Sequence, residues 1–173
     1  IGDCLPLLLS LNAQVILKDF KKTKTLNLDS FFINYRKTKL KKGQFIYSVI
    51  IPLFKKNKFK AYKVSKRFDD DISSVCAAFN IEIVKNKIQS VRIAYGGMAA
   101  IPKRANLCEK ILLNSLINDE TISKAKKALE KDFRPISDMR SSGVYRMEIA
   151  KNLLEKANLK IEMPTILTTV DFY

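Results

Sequence analysis

The spacing of apolar residues changes once along this chain, and the change limits what the chain can fold into. Up to about residue 102 they come in short runs or loose alternation, as in strands. From Lys103 onward they recur every three or four positions, as on helix faces. Strands followed by helices predict an α+β fold, a small antiparallel sheet with helices packed on one face. A chain of 173 residues can bury about 70% of its unfolded surface, enough for one domain or two small ones.

Several elements are legible locally. Residues 72–79 are nearly uncharged and small, which suits a strand buried on both faces and continuing to Val84. Residues 62–65 alternate with lysines ahead of it, and a return strand over 88–95 follows a tight Lys85-Asn86 turn. Residues 45–51 are almost wholly apolar up to Pro52 and read as a central strand. Nearer the start, Asp3 reads as the N-cap of a short helix with Pro6 in its first turn. Residues 14–17 and 24–28 read as a strand pair, and Asp29-Ser30 as the start of a helical piece carrying Phe31, Phe32 and Tyr35. Gly96-Gly97 permits a bulge or a close backbone approach, and residues 54–60 mark a boundary between subdomains.

Three apolar stripes predict three helices. They are Leu107, Ile111, Leu112 and Leu116; Ile122, Ala125, Ala128 and Leu129; and Val144, Met147, Ala150, Leu154 and Ala157. The third helix is expected over 141–156, and residues 158–173 show no convincing period.

Composition removes several kinds of chemistry. There is no histidine, so the commonest general base, the commonest zinc ligand and every Ser-His or Cys-His pair are excluded. Cys4, Cys76 and Cys108 lie far apart among apolar neighbours, neither a metal spacing nor a disulfide framework, which fits buried thiols in a reducing, cytoplasmic setting. No Gly-rich phosphate loop of the usual spacings occurs. If the chain takes part in chemistry, a cofactor carries it. The net charge of +15 suggests an acidic partner or nucleic acid, a basic-module alternative using the lysines of 55–67. Against specific nucleic-acid recognition, lysine outnumbers arginine 25 to 7 and is spread along the whole chain. No apolar run approaches a membrane helix, and no basic-then-apolar leader is visible. The first residue, Ile1, makes the sequence read as a piece of a longer protein.

Asp69, Asp70 and Asp71 interrupt the strand pattern. Three adjacent carboxylates repel one another, so they form either a solvated turn or a loop with a task.

Longer motifs carry a resemblance. They are Phe31-Phe32-Ile33-Asn34-Tyr35-Arg36-Lys37-Thr38, Ala61-Tyr62-Lys63-Val64-Ser65-Lys66-Arg67-Phe68-Asp69-Asp70-Asp71-Ile72-Ser73, Ala94-Tyr95-Gly96-Gly97-Met98-Ala99, and Pro102-Lys103-Arg104-Ala105. In this order and spacing they resemble the flavin domain of the molybdenum hydroxylase family, and within it the small-subunit branch of bacterial xanthine dehydrogenase. Asp132-Phe133-Arg134-Pro135-Ile136-Ser137-Asp138-Met139-Arg140 with Tyr145-Arg146 is similar to that family's last helical segment. The likeness runs to about Leu154. The family's Gly-rich pyrophosphate loop and its iron–sulfur cysteines have no counterpart here, and only Ile1-Gly2-Asp3 matches the end of its Ser-Pro-Ile-Gly-Asp segment.

The resemblance implies the end of an FAD-binding subdomain over 1–53, the flavoprotein C-terminal subdomain over 54–157, and a poorly matching tail over 158–173. It places Asp3, Ile46 and Lys63 at FAD and makes residues Asp69, Asp70 and Asp71 a loop beside the flavin. Gly96-Gly97 is expected to be structural, and Arg140, Tyr145 and Arg146 to serve packing and ion pairing. The partners implied are the upstream FAD-binding and iron–sulfur domains and a molybdenum-binding large subunit or domain. The complete enzyme would hold 2Fe-2S clusters and the molybdenum cofactor outside this chain, hydroxylate hypoxanthine or xanthine, and pass electrons through FAD to NAD. The isolated piece is expected to be inactive.

Overall fold

A computed structural model describes residues 3–67 and 72–162. The elements are α1 (Cys4–Ser10), β1 (Gln14–Lys18), β2 (Thr23–Asn27), β3 (Phe32–Asn34), β4 (Lys37–Thr38), β5 (Phe45–Ile50), β6 (Lys58–Val64), β7 (Val75–Val84), β8 (Lys87–Gly96), β9 (Lys103–Arg104), α2 (Asn106–Leu112), α3 (Asp119–Asp132) and α4 (Gly143–Glu162). This is the expected α+β architecture, with strands β6-β7-β8-β9 in one antiparallel sheet and β2-β1-β5 in another.

Strand β7 organises the molecule. Successive side chains of a strand point to opposite faces, and here both faces are covered. Val75, Ala77, Phe79 and Ile81 join Ile93 and Tyr95 of β8 in the core shared with α2, α3 and α4. On the opposite face α1 packs against β7 and β8. There the Asn80 side-chain amide donates to the Ser10 carbonyl (3.1 Å), and Arg92 donates to that of Leu9. A Cβ at Gly96 would stand 3.1 Å from the Pro6 ring, so glycine suits the close seating of α1. The β7–β8 hairpin closes through Lys85 and Asn86 at φ of 50° and 60°, the left-handed pair of a tight turn.

The helical stripes are partly as expected. Ile122, Ala125, Ala128 and Leu129 are all buried. Helix α2 buries Cys108, Glu109 and Leu112, whereas Leu107 and, just beyond the helix, Leu116 are exposed. Asp132, 25 residues along the chain, accepts the backbone N–H groups of Leu107 and Cys108 and so fixes how α2 is rolled. In α4 Ala150, Leu154 and Ala157 are buried while Val144 is exposed, and the helix runs past Lys156 to Glu162. No helix among the described residues is long and apolar enough to cross a membrane.

Two local readings change. Residues 28–38 form a 3-10 turn (Leu28–Ser30) followed by the β3–β4 hairpin, rather than a helical piece carrying Phe32 and Tyr35. The Asn34 side chain accepts the Tyr35 N–H at 2.8 Å and Arg36 takes a φ of 54°, so a turn forms where a helix would continue. Strand β5 is apolar but not central. It pairs only with β1 among the described residues, and Phe45, Ile46, Tyr47, Val49 and Ile50 are exposed. Its composition asks for cover on both faces, and the described residues do not supply that cover.

The cysteines divide by burial. Desolvation pushes the Cys76 thiol up to about 12 and Cys108 further, whereas Cys4 is exposed. Since the thiolate is the reactive form, iodoacetamide at about pH 8 should label Cys4 of the native protein and reach the other two only on unfolding. Labelling of native Cys76 at a rate comparable to Cys4 would contradict this burial.

Candidate functional site

The pairing register builds the site. Lys63 lies opposite Cys76 in the β6–β7 ladder. Its neighbours Tyr62 and Val64 pack against the helical core, so alternation sends Lys63 to the α1 face. There its ammonium meets the Asp3 carboxylate at 3.1 Å, with the two side chains 42% and 36% exposed. The hydroxyl of buried Ser73 donates to the other Asp3 oxygen at 2.6 Å. The Cys76 thiol donates to the Asp3 carbonyl at 3.5 Å.

Asp3 therefore stands at the N-cap position of α1, as expected, but does not cap the helix with its side chain. It sits in helical backbone geometry, and its side chain makes no cap hydrogen bond. Lys63 is not a strand lysine spent on solvent alone. Residues 70 positions apart converge here, which gives a carboxylate held by a hydroxyl and an ammonium yet open to solvent on one side. Ile46 stands elsewhere, 49% exposed on the open strand β5 of the other sheet. Asp69, Asp70 and Asp71 lie outside the described residues.

The start of β7 is held tightly. The Ser74 N–H donates to the Val64 carbonyl at 2.8 Å, which ties it to β6 one residue beyond Lys63. The Arg146 guanidinium, 4% exposed, donates to the Ser74 carbonyl at 2.5 Å, to the Gly97 carbonyl at 3.0 Å and to Asp138 at 2.7 Å. Gly97 has a φ of +82°, and a Cβ there would run into the Ser74 carbonyl. Both the structural use of Gly97 and the packing and ion-pair use of Arg146 agree with the sequence reading. Two hollows border this joint. One of about 480 Å³ is lined by Ser65, Lys66, Ser74, Arg140 and Tyr145, and one of about 340 Å³ by Tyr35, Ala99, Arg134, Ile136 and Arg146; Asp138 borders both.

Sequence reasoning assigned Ser73 no role. Its one local signal is a pair of serines, Ser73-Ser74, opening an otherwise apolar strand. Both are buried, and buried polar side chains need partners.

Residues 60–161 match the family model described as the CO dehydrogenase flavoprotein C-terminal domain. Residues 1–54 match the FAD binding domain in molybdopterin dehydrogenase. The chain is 29% identical over 156 residues to the glyceraldehyde dehydrogenase medium chain of Sulfolobus acidocaldarius, a match covering 90% of this chain and 55% of that one. It is 34% identical over 137 residues to a xanthine dehydrogenase of Emericella nidulans, covering 77% of this chain and 10% of that one. The solved carbon monoxide dehydrogenase from Hydrogenophaga pseudoflava has the same fold, with a TM-score of 0.83 at 22% identity over 88% of this chain and 53% of that one. The chain thus spans about half, or much less, of the proteins it matches.

Proposed function

The chain belongs to the flavin-binding part of the molybdenum hydroxylase family, and from that premise we propose that it forms one wall of an FAD pocket in a xanthine dehydrogenase-type oxidoreductase. The observation that carries this reading is the Asp3–Lys63 pair, a half-exposed ion pair built by two distant segments and braced by Ser73. Such a group suits the edge of a flat ring bearing hydrogen-bond donors and acceptors. Exposed Ile46 suits an apolar contact with the ring's face. When bound, FAD supplies the exchange between one-electron carriers and a two-electron acceptor.

The chain's own residues then do electrostatic work. Reduction builds negative charge on the flavin, so the Lys63 ammonium favours the reduced form and the Asp3 carboxylate opposes it. Asp69, Asp70 and Asp71 are proposed to line the same pocket and oppose reduction as Asp3 does. The wider reaction belongs to the same proposal: purine hydroxylation at a molybdenum centre, 2Fe-2S clusters delivering electrons, and NAD receiving a hydride. Residues 1–53 and 54–157 would act as two subdomains facing the ring. Exposed β5 would be covered by the upstream FAD-binding domain.

The basic-module alternative has less support. The ammonium groups of Lys58, Lys63 and Lys66 are engaged with the Ile161 carbonyl, Asp3 and the Met139 carbonyl. A titration tests the pocket reading. This chain by itself should show no micromolar FAD binding, because it contains no Gly-rich phosphate loop; joined to an upstream FAD-binding half, it should retain FAD through gel filtration. Micromolar binding by the chain alone, or no FAD retained by the joined protein, would contradict it.

A further inference from the structure

We infer that Arg146 is a positioning residue for the Asp3–Lys63 pair, acting through the Ser73–Ser74 corner; the inference deepens the flavin reading and draws its relevance to FAD from it. A fully buried guanidinium is a costly way to fill space, and an apolar side chain of similar volume would serve stability as well. What arginine adds is direction, because its planar fork of donors fixes several acceptors at once. Here the acceptors are the carbonyls of Ser74 and Gly97 and the carboxylate of Asp138. The positive φ and missing Cβ of Gly97 let two carbonyls converge on one nitrogen of the guanidinium.

The consequence reaches Asp3 in one residue. Ser74 is held on its N–H side by Val64 and on its carbonyl side by Arg146. Ser73, immediately before it, therefore has its backbone direction set, and with it the hydroxyl that meets Asp3 at 2.6 Å. Removing the Arg146 fork frees the carbonyl side of this corner. Ser73 can then turn, and Asp3 loses the donor opposite Lys63 while Lys63 itself is untouched.

The test uses carbon-13 NMR of the Asp3 carboxyl in the labelled chain, with Ser73→Ala as the benchmark for losing the hydroxyl. Arg146→Lys keeps the charge but not the fork, and should move the Asp3 carboxyl resonance in the same direction as Ser73→Ala by a comparable amount. Asp138→Asn removes the charge of the guanidinium's outer anchor but keeps an oxygen able to accept from Arg146, Arg140 and Ser141, and should give a smaller shift of the same sign. It keeps the test decisive if Arg146→Lys does not fold. A lowered Tm with the Asp3 resonance unchanged in every folded variant would overturn the inference and leave Arg146 a packing residue. The midpoint potential of FAD bound to the same variants joined to an upstream FAD-binding half separates the two layers. If Arg146→Lys and Ser73→Ala both move the Asp3 resonance but leave the potential unchanged, the positioning stands and the flavin-facing reading fails.

Discussion

Glu109→Ala is expected to lower the unfolding free energy by about 3–5 kcal/mol, the usual cost of removing one partner from a buried ion pair. Glu109 is 7% exposed. Its carboxylate accepts the Ile93 N–H at 2.7 Å and the Arg104 Nε–H at 3.0 Å, with a further close contact to the Arg104 terminal nitrogen. Alanine would leave a buried β8 amide without its acceptor and, among the described residues, Arg104 facing the Asp29 carboxylate at 3.7 Å. Because Arg104 and Arg92 also reach Asp29, the loss should loosen the contact between the first 30 residues and the larger sheet. Glu109→Gln keeps an acceptor and should cost markedly less.

The pH dependence of this pair has a definite sign. Burial raises the Glu109 carboxyl above its ordinary range, although Arg104 and the Ile93 amide pull the other way. With the folded value above the unfolded value of about 4.3, the folded state holds the proton more tightly. The proton-linked part of its contribution is therefore full below the unfolded value and is lost as pH rises through the raised one, while the bonds to Ile93 and Arg104 remain. In urea titrations the stability of the wild type relative to Glu109→Gln should fall from acid toward neutral pH. A rise over the same interval would contradict the assignment.

How much of this was legible in the sequence depended on how local its cause is. Strand β7 was legible because a sheet strand covered on both faces needs an apolar run, and residues 72–79 are one. The Lys85-Asn86 turn and the stripe from Ile122 to Leu129 also follow from neighbours in sequence. The roll of α2 was not legible. The helix is only two turns long, and its orientation is set by Asp132 from the end of α3. The hairpin at 32–38 was missed because an aromatic cluster suits helix or strand equally until the Arg36 turn decides it. For β5, an apolar run showed that cover is needed but not which residues provide it.

The site divides in the same way. The family resemblance singled out Asp3 and Lys63, and the fold brings them together. Ser73 and Arg146 act through backbone and long-range contacts that no local spacing encodes. Asp3 shows the limit most clearly, because it has the sequence of a helix cap but spends its side chain on a serine 70 residues away.

The largest functional effect is expected at the pair itself, and it has a sign as well as a size. Lys63 and Asp3 carry opposite charges 3.1 Å apart, so removing either leaves the other unbalanced. The decisive measurement is the midpoint potential of FAD bound to the chain joined to an upstream FAD-binding half, compared among wild type, Lys63→Gln and Asp3→Asn. Lys63→Gln should lower the potential by about 30 mV, the shift that accompanies a tenfold change in a two-electron equilibrium. Asp3→Asn should raise it. Potentials that stay at the wild-type value in both variants, or move the same way in both, would show that this pair does not face the flavin.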